Sequence, residues 1–106
     1  MALIAISTVS NEDVAKNLSM ILLENRVAAC VNIVSNVKSN YWWNGSIESS
    51  TEIILLIKTT EDKYSQLEDL IRKNHPYEIP EIIAFDIKKG FNKYLNWIED
   101  ETRTLP

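Results

Sequence analysis

The fold of this chain is decided by the stretch Tyr41-Trp42-Trp43-Asn44-Gly45. An Asn-Gly pair suits the two central positions of a type I′ turn, because both positions need a positive φ. The segment 27–37, which is rich in β-branched residues, precedes the pair, and the apolar segment 53–60 follows it. Such segments are typical of strands. The sequence therefore predicts a long β-hairpin that turns at Asn44-Gly45.

The predicted hairpin is too long for one small domain. If it runs over residues 28–60, each arm has about 15 residues, against about 5–6 in an ordinary strand. At about 3.3 Å per residue, an arm would be about 50 Å long. We expect the tip to project and to offer Tyr41, Trp42 and Trp43 to an interface between copies of the chain, since Tyr and Trp are favoured at interfaces. A hairpin that bends back over its own core is the alternative.

The two arms of the hairpin also predict an irregularity. Counted outward from the turn, a regular ladder places Cys30 opposite Thr59 and Val31 opposite Lys58. The apolar side chains of the two arms would then lie on opposite faces of the sheet. One extra residue in an arm would bring them together, so we predict a β-bulge. The same slip would place Cys30 and Lys58 on one shared face.

The rest of the chain completes an alternating order of elements. Helical spacing of apolar residues and capping residues predict three helices. The order is β-α-β-β-α-β-α, which predicts an α+β, ferredoxin-like split βαβ fold in a single domain over residues 1–106. The predicted elements besides the hairpin are a strand over 1–8, a helix from Ser10-Asn11-Glu12-Asp13 to Asn25, a helix capped by Thr60, a strand over 81–87 and a helix capped by Asn92.

Composition limits the classes of function. The chain has 106 residues, a formal net charge of −4 and one cysteine. An acidic chain lacks the basic surface that nucleic acids require, so we expect no nucleic-acid partner. No apolar run is long enough to span a membrane, and a lone thiol suits a reducing compartment. We expect a soluble, cytoplasmic protein with no membrane partner.

The segment His75-Pro76-Tyr77-Glu78-Ile79-Pro80-Glu81 is the second informative stretch. Each proline restricts its own φ and disfavours helical geometry in the residue before it, so the segment should be stiff and extended. A stiff segment with an imidazole, a phenol and carboxylates suits a small ligand or a metal ion. It equally suits the end of a helix before a strand.

Five side chains form the candidate ligand cleft, namely Cys30, Lys58, His75, Tyr77 and Glu78. Cys30 is either a soft metal ligand or a small core residue, and His75 is either a metal ligand or a cap for helix carbonyls. Lys58 interrupts an apolar strand, so it should pair with a carboxylate or bind an anion. Tyr77 and Glu78 can supply a phenol and that carboxylate.

Several motifs together resemble one known family, the CutA proteins, which are called divalent-cation tolerance proteins. The resemblance covers essentially the whole chain. It rests on Ala29-Cys30-Val31-Asn32-Ile33, Tyr41-Trp42-Trp43-Asn44-Gly45, Ile57-Lys58-Thr59-Thr60, His75-Pro76-Tyr77-Glu78-Ile79-Pro80-Glu81 and Tyr94-Leu95-Asn96-Trp97-Ile98.

The resemblance implies a tight homotrimer with an architecture like that of the PII signalling proteins, and a link with copper tolerance and copper binding. Trp97 joins the three hairpin aromatics as a candidate interface residue. Our leading hypothesis is a homotrimer that binds copper or another divalent ion through Cys30 and His75. The alternatives are a PII-like sensor that binds a small anionic ligand between subunits, and a trimeric scaffold that anchors a partner protein. No catalytic constellation is recognisable, so we do not expect an enzyme.

Overall fold

The structure, a computed structural model, describes residues 1–103. It contains a four-stranded antiparallel sheet with the strand order β2-β3-β1-β4, together with three helices. The predicted order of elements and the α+β fold are confirmed. The elements are β1 (Ala2–Val9), α1 (Glu12–Glu24), β2 (Cys30–Trp43), β3 (Ser46–Thr60), α2 (Glu61–Asn74), β4 (Ile83–Asp86) and α3 (Asn92–Glu101).

The hairpin formed by β2 and β3 is as long as predicted. Its turn has φ angles of 49° at Asn44 and 81° at Gly45, the positive values that an Asn-Gly turn provides. The longest dimension of the chain is 47 Å, and the radius of gyration is 14.4 Å. A compact domain of this length has a radius of gyration of about 13 Å. The excess reflects a hairpin that projects beyond the body of the domain.

The predicted β-bulge is present in β2. The register between β2 and β3 shifts between Val34 and Val37, and Asn36 within this segment has a φ of 62°. On the far side of the bulge from the turn, Cys30 lies opposite Lys58. The extra residue brings the apolar side chains of both arms to one face, which is why the regular ladder is avoided.

The core lies between one face of the sheet and the helices α1 and α2. Side chains alternate along a strand, so every second residue of β1 and β3 points toward these helices. These residues, with the apolar faces of the two helices, form one buried cluster: Ala5, Val9, Ala15, Leu18, Leu22, Val27, Ala28, Ile53, Leu55, Ile57, Leu67 and Ile71.

The opposite face of the sheet, here called the open face, is not covered by α1 and α2. Most of its side chains are apolar, yet many are partly or largely exposed, with Phe85 52% exposed. The register between neighbouring strands places the following residues on it: Ile4, Ile6, Thr8, Cys30, Asn32, Val34, Ile54, Leu56, Lys58, Ile83 and Phe85.

The ends of several elements differ from the sequence predictions. The first helix is capped by Asn11, whose Oδ1 accepts a hydrogen bond from the Val14 N–H at 2.8 Å. The N-cap position of the third helix is Phe91 rather than Asn92, and the Phe91 side chain makes no capping hydrogen bond. The second strand begins at Cys30 rather than near residue 27, because Arg26 has a φ of 58° and the Val27 N–H bonds to the end of α1. The fourth strand is only four residues long.

Candidate functional site

The main cavity of interest lies where the outer half of the hairpin meets the segment after α2. It has a volume of about 360 Å³ and opens at one end of the open face. We call it the acidic groove, because four carboxylates and three aromatic rings line it and none of its lining residues is basic. The lining residues are Thr8, Tyr41, Trp43, Glu48, Glu52, Tyr77, Glu78, Ile79 and Glu81.

The hairpin register explains why one wall of the groove combines aromatic rings and acids. Tyr41 lies opposite Glu48, and Glu52 lies opposite Val37 just beyond the bulge. Strand alternation then places Glu48 and Glu52 on the same side of β3 as the open face. The wall therefore continues the open face outward along the hairpin.

The imidazole of His75 connects the end of α2 to the end of β1. His75 has an extended backbone (φ −95°, ψ 133°), as expected for a residue before proline. Its Nε2 lies 2.7 Å from the Thr8 carbonyl oxygen, and its Nδ1 accepts a hydrogen bond from the Tyr77 N–H at 3.1 Å. A neutral ring with its proton on Nε2 satisfies both contacts. The ring thus positions the segment 75–81 against the sheet.

The contacts of His75 correct one of its two predicted roles. Its ring does not cap the carbonyls of its own helix. Asn74 does so instead, since its side-chain N–H donates to the Leu70 carbonyl at 2.8 Å. Both ring nitrogens of His75 are engaged, so metal ligation through this residue would require one of these hydrogen bonds to break.

Tyr77 is held by a carboxylate that the sequence analysis did not select. Its hydroxyl donates to Glu52 Oε2 at 2.9 Å, and its ring contacts that of His75 edge-on with centroids 4.6 Å apart. Burial and the bond to Glu52 raise the pKa of Tyr77 to about 12. The phenol therefore remains protonated at neutral pH and acts as a hydrogen-bond donor, not as a base.

Cys30 and Lys58 lie at the other end of the open face. The ammonium of Lys58 bonds to the side-chain oxygen of Asn32, and the Cys30 Sγ lies 3.9 Å from the same oxygen. The partner of Lys58 is thus a neutral amide and not the predicted carboxylate of Glu78. Lys58 and Glu52 are six residues apart on one strand face, which corresponds to about 20 Å.

The five predicted cleft residues therefore form two groups within one chain. His75, Tyr77 and Glu78 lie at or beside the acidic groove, whereas Cys30 and Lys58 lie at the opposite end. Cys30 and His75 are not brought together. Within residues 1–103, no group of three or more His, Cys, Asp or Glu side chains is placed to hold a metal ion.

Sequence reasoning missed the acids of the hairpin. Glu52 is the clearest case, because a signal for it was present: it precedes the apolar run of β3 at an even spacing from Lys58, so both belong to one face. Its pairing with Tyr77 joins residues 25 positions apart. Nothing local in the sequence indicates that contact.

The four candidate interface aromatics lie in different surroundings. Tyr41 and Trp43 line the acidic groove, and Trp42 is 71% exposed. Trp97 stacks on Tyr94 of the same helix with centroids 5.6 Å apart. All four retain a substantial exposed surface.

Comparison with known proteins gives consistent matches along the chain. Residues 3–101 match the model of the family described as CutA1 divalent ion tolerance protein. The divalent-cation tolerance protein CutA of Thermus thermophilus is 39% identical over 93% of this chain and 96% of its own length. The chloroplastic protein CutA 1 of rice, Oryza sativa, is 42% identical over 91% of this chain, which spans only about half (54%) of that relative.

Solved structures match equally well. A divalent cation tolerance protein from Thermus thermophilus superposes with a TM-score of 0.94 at 39% identity, covering 97% of this chain and 100% of its own. The periplasmic divalent cation tolerance protein CutA from Archaeoglobus fulgidus also gives 0.94, at 34% identity, with the same coverage. As for membranes, the helices within residues 1–103 are too short or too polar to cross one.

Proposed function

The chain belongs to the CutA1 divalent ion tolerance family, and we propose that it acts in the cytoplasm as a homotrimer. In this proposal the trimer contributes to tolerance of divalent metal ions, with copper as the leading candidate. The observation that carries the proposal is the uncovered apolar surface of the open face and the hairpin. This surface is what assembly would bury.

The exposed area supports assembly. The chain exposes 6970 Å². A compact monomer of 12.2 kDa exposes about 6,100 Å², so about 900 Å² is in excess. Large apolar side chains contribute to this excess, including Trp42 on the hairpin and Ile83 and Phe85 on the open face. Exposed apolar patches of this kind mark interaction sites.

The sheet edges support assembly as well. β2 pairs with β3 on one side only, so the other side of a 14-residue strand presents unpaired backbone groups. Native proteins normally cover or shorten such edges. Pairing with another copy would cover this edge, and a head-to-tail contact repeated around a three-fold axis closes without leaving a free edge.

Cys30 and His75 of one chain do not fit a copper ion by themselves. Cys30 and His75 lie in the two separate groups, and His75 uses both ring nitrogens in hydrogen bonds. A copper site requires more donors than one thiolate and one imidazole. We therefore place any metal site that uses Cys30 or His75 between subunits, where a second chain can supply ligands.

Light scattering during size-exclusion chromatography tests the assembly. We expect three times the 12.2 kDa chain mass at micromolar concentration. Phe85→Asp should shift the mass toward that of the monomer. The matched control is Phe91→Asp, which changes an exposed phenylalanine outside the open face and should leave the mass unchanged. A well-folded wild-type monomer would rule out the homotrimer.

Metal titration tests the second part of the proposal. Purified protein is titrated by calorimetry with Cu(I), Cu(II) and Zn(II), and we expect Cys30→Ser and His75→Gln to weaken binding of the preferred ion at least tenfold. Circular dichroism establishes that the variants remain folded. Affinities equal to those of the wild type would remove both residues from any metal site.

A sensor of small anionic ligands is the second candidate, because Lys58 favours it. The Lys58 residue is half-buried, its ammonium bonds to a neutral amide in an exposed position, and it forms no ion pair with a carboxylate within residues 1–103. Thermal shifts with inorganic phosphate and citrate would reveal such a site. Lys58→Met should abolish the shift, and the exposed Lys16→Met should retain it.

A further inference from the structure

The acidic groove carries negative charge that no described residue lining it neutralises. Glu48, Glu52 and Glu81 line it together with no basic side chain. Two basic side chains, Arg72 and Lys73, line a neighbouring depression that shares Glu78 and Tyr77 with the groove. The groove itself therefore favours a positively charged occupant.

Glu52 is the member of this group that most requires a partner. Only 9% of the surface of Glu52 is exposed. Within residues 1–103, one of its two carboxylate oxygens accepts a hydrogen bond, from the hydroxyl of Tyr77. A carboxylate accepts up to about four hydrogen bonds. A charge buried to this extent is costly unless it is paired. Glu52 thus presents unused acceptor capacity to the cavity.

The aromatic rings select the kind of cation. Tyr41, Trp43 and Tyr77 line the same cavity as the carboxylates, and Ile79 adds an apolar side chain. The faces of aromatic rings attract organic cations such as ammonium and guanidinium groups. Hard metal ions instead require several oxygen ligands converging on one point. No such converging group exists among the described residues.

We propose that the acidic groove binds a small organic cation, an ammonium or guanidinium group on a short apolar chain. The charged group pairs with Glu52 and the neighbouring carboxylates, and the apolar part lies against Trp43 and Tyr41. The cavity volume of about 360 Å³ is near the lower end of the range for small-molecule sites. The lining residues all come from one chain, but Tyr41 and Trp43 also belong to the hairpin surface that assembly would bury, so the proposal requires that the assembled protein leaves the groove open.

The test uses the intact protein in its own oligomeric state. Amide chemical shifts of ¹⁵N-labelled protein are followed during titration with n-butylammonium and n-butylguanidinium at constant ionic strength. n-Butanol, which has the same apolar chain without the charge, is the matched ligand. We expect shifts that map to Tyr41, Trp43 and Tyr77, with at least tenfold weaker binding of butanol.

Paired variants separate the groove from the remaining surface. Glu48→Gln and Trp43→Leu should each weaken butylammonium binding about three- to tenfold. Two control variants should leave butylammonium binding unchanged. Trp42→Leu changes the neighbouring tryptophan on the opposite side of the strand, and Glu24→Gln changes a carboxylate on α1. Glu48 and Trp43 are chosen because they are more exposed than Glu52, whose substitution would also change the hydrogen bond that holds Tyr77.

Three results would overturn the proposal. Equal binding of butanol would show that charge has no role. Displacement of butylammonium by Mg²⁺ at equal concentration would reduce the groove to a nonselective acidic surface. Absence of shifts in the assembled wild type, with shifts in a monomeric Phe85→Asp variant, would show that a neighbouring copy fills the groove.

Discussion

Removal of the Tyr77 hydroxyl tests the central contact of the groove. In Tyr77→Phe, Glu52 loses its donor at 2.9 Å while the ring remains in place. A hydrogen bond to a charged group contributes about 1.5–3 kcal/mol to stability. Because Glu52 is only 9% exposed, water replaces the lost donor poorly, and we expect a loss in the upper half of this range, about 2–3 kcal/mol.

A double-mutant cycle isolates this contact from other effects of the substitution. The free energy of unfolding is measured in guanidinium chloride at one fixed protein concentration, since assembly makes stability concentration-dependent. In a Glu52→Gln background the bond is neutral, so Tyr77→Phe should cost only about 1 kcal/mol. The coupling energy between the two sites should therefore be about 1–2 kcal/mol.

Tyr94→Phe is the matched control. Tyr94 is partly exposed, and its hydroxyl has no hydrogen-bond contact within the described part of the chain. We expect its loss to change stability by less than about 0.5 kcal/mol. Two results would refute this reasoning. One is a loss of unfolding free energy in Tyr77→Phe no larger than that in the control. The other is an equal loss with and without the Glu52 charge, since the contact would then not stabilise the fold.

Three further predictions concern the segment 75–81 and the bulge. His75→Phe leaves the Thr8 carbonyl and the Tyr77 N–H without partners, so it should destabilise the fold by about 2–4 kcal/mol. It should also accelerate hydrogen exchange of the Tyr77 amide, and an unchanged exchange rate would contradict the role of the ring. The pKa of Tyr77 is raised from 10.0 to about 12, so its stabilising contribution should be complete below pH 10.0 and disappear as the pH rises through 12. An ultraviolet titration should show a late phenol that is missing in Tyr77→Phe, and titration of that phenol at its ordinary pH would argue against burial. At the bulge, Asn36 has a positive φ, so Asn36→Val should lower the free energy of unfolding by about 1–2 kcal/mol. Asn36→Gly should remain within about 1 kcal/mol of wild type. If the valine and glycine variants have equal unfolding free energies, this backbone conformation is not maintained.

Most of the fold could be predicted from local patterns. Asn44-Gly45 marks the turn. The alternation of apolar residues in the two arms does not fit a regular ladder, and this mismatch predicts the bulge that the register confirms. The ends of elements were less predictable. The start of β2 at Cys30 depended on the left-handed backbone of Arg26, which no residue pattern indicated.

The candidate site could be predicted only in part, because its contacts join distant positions. The segment around His75 and Tyr77 was identified from its composition, and it does line or support the groove. The sequence pattern does not indicate the contact of Glu52 with Tyr77. For Lys58 it predicts a carboxylate partner or a bound anion, whereas the partner within the chain is Asn32, its diagonal neighbour on β2. Pairings of this kind depend on strand register and on where a loop returns to the sheet.

The amino-acid order alone determined the hairpin, its bulge and the succession of helices and strands, since turn chemistry and side-chain periodicity act between residues close in the chain. Only the folded chain decided that His75 would reach Thr8, 67 positions away, and that Tyr77 would donate to Glu52. The physical reason is that these contacts join residues far apart in the chain, so they depend on how α2 packs on the sheet and on where the stiff segment after it meets β1 and β3.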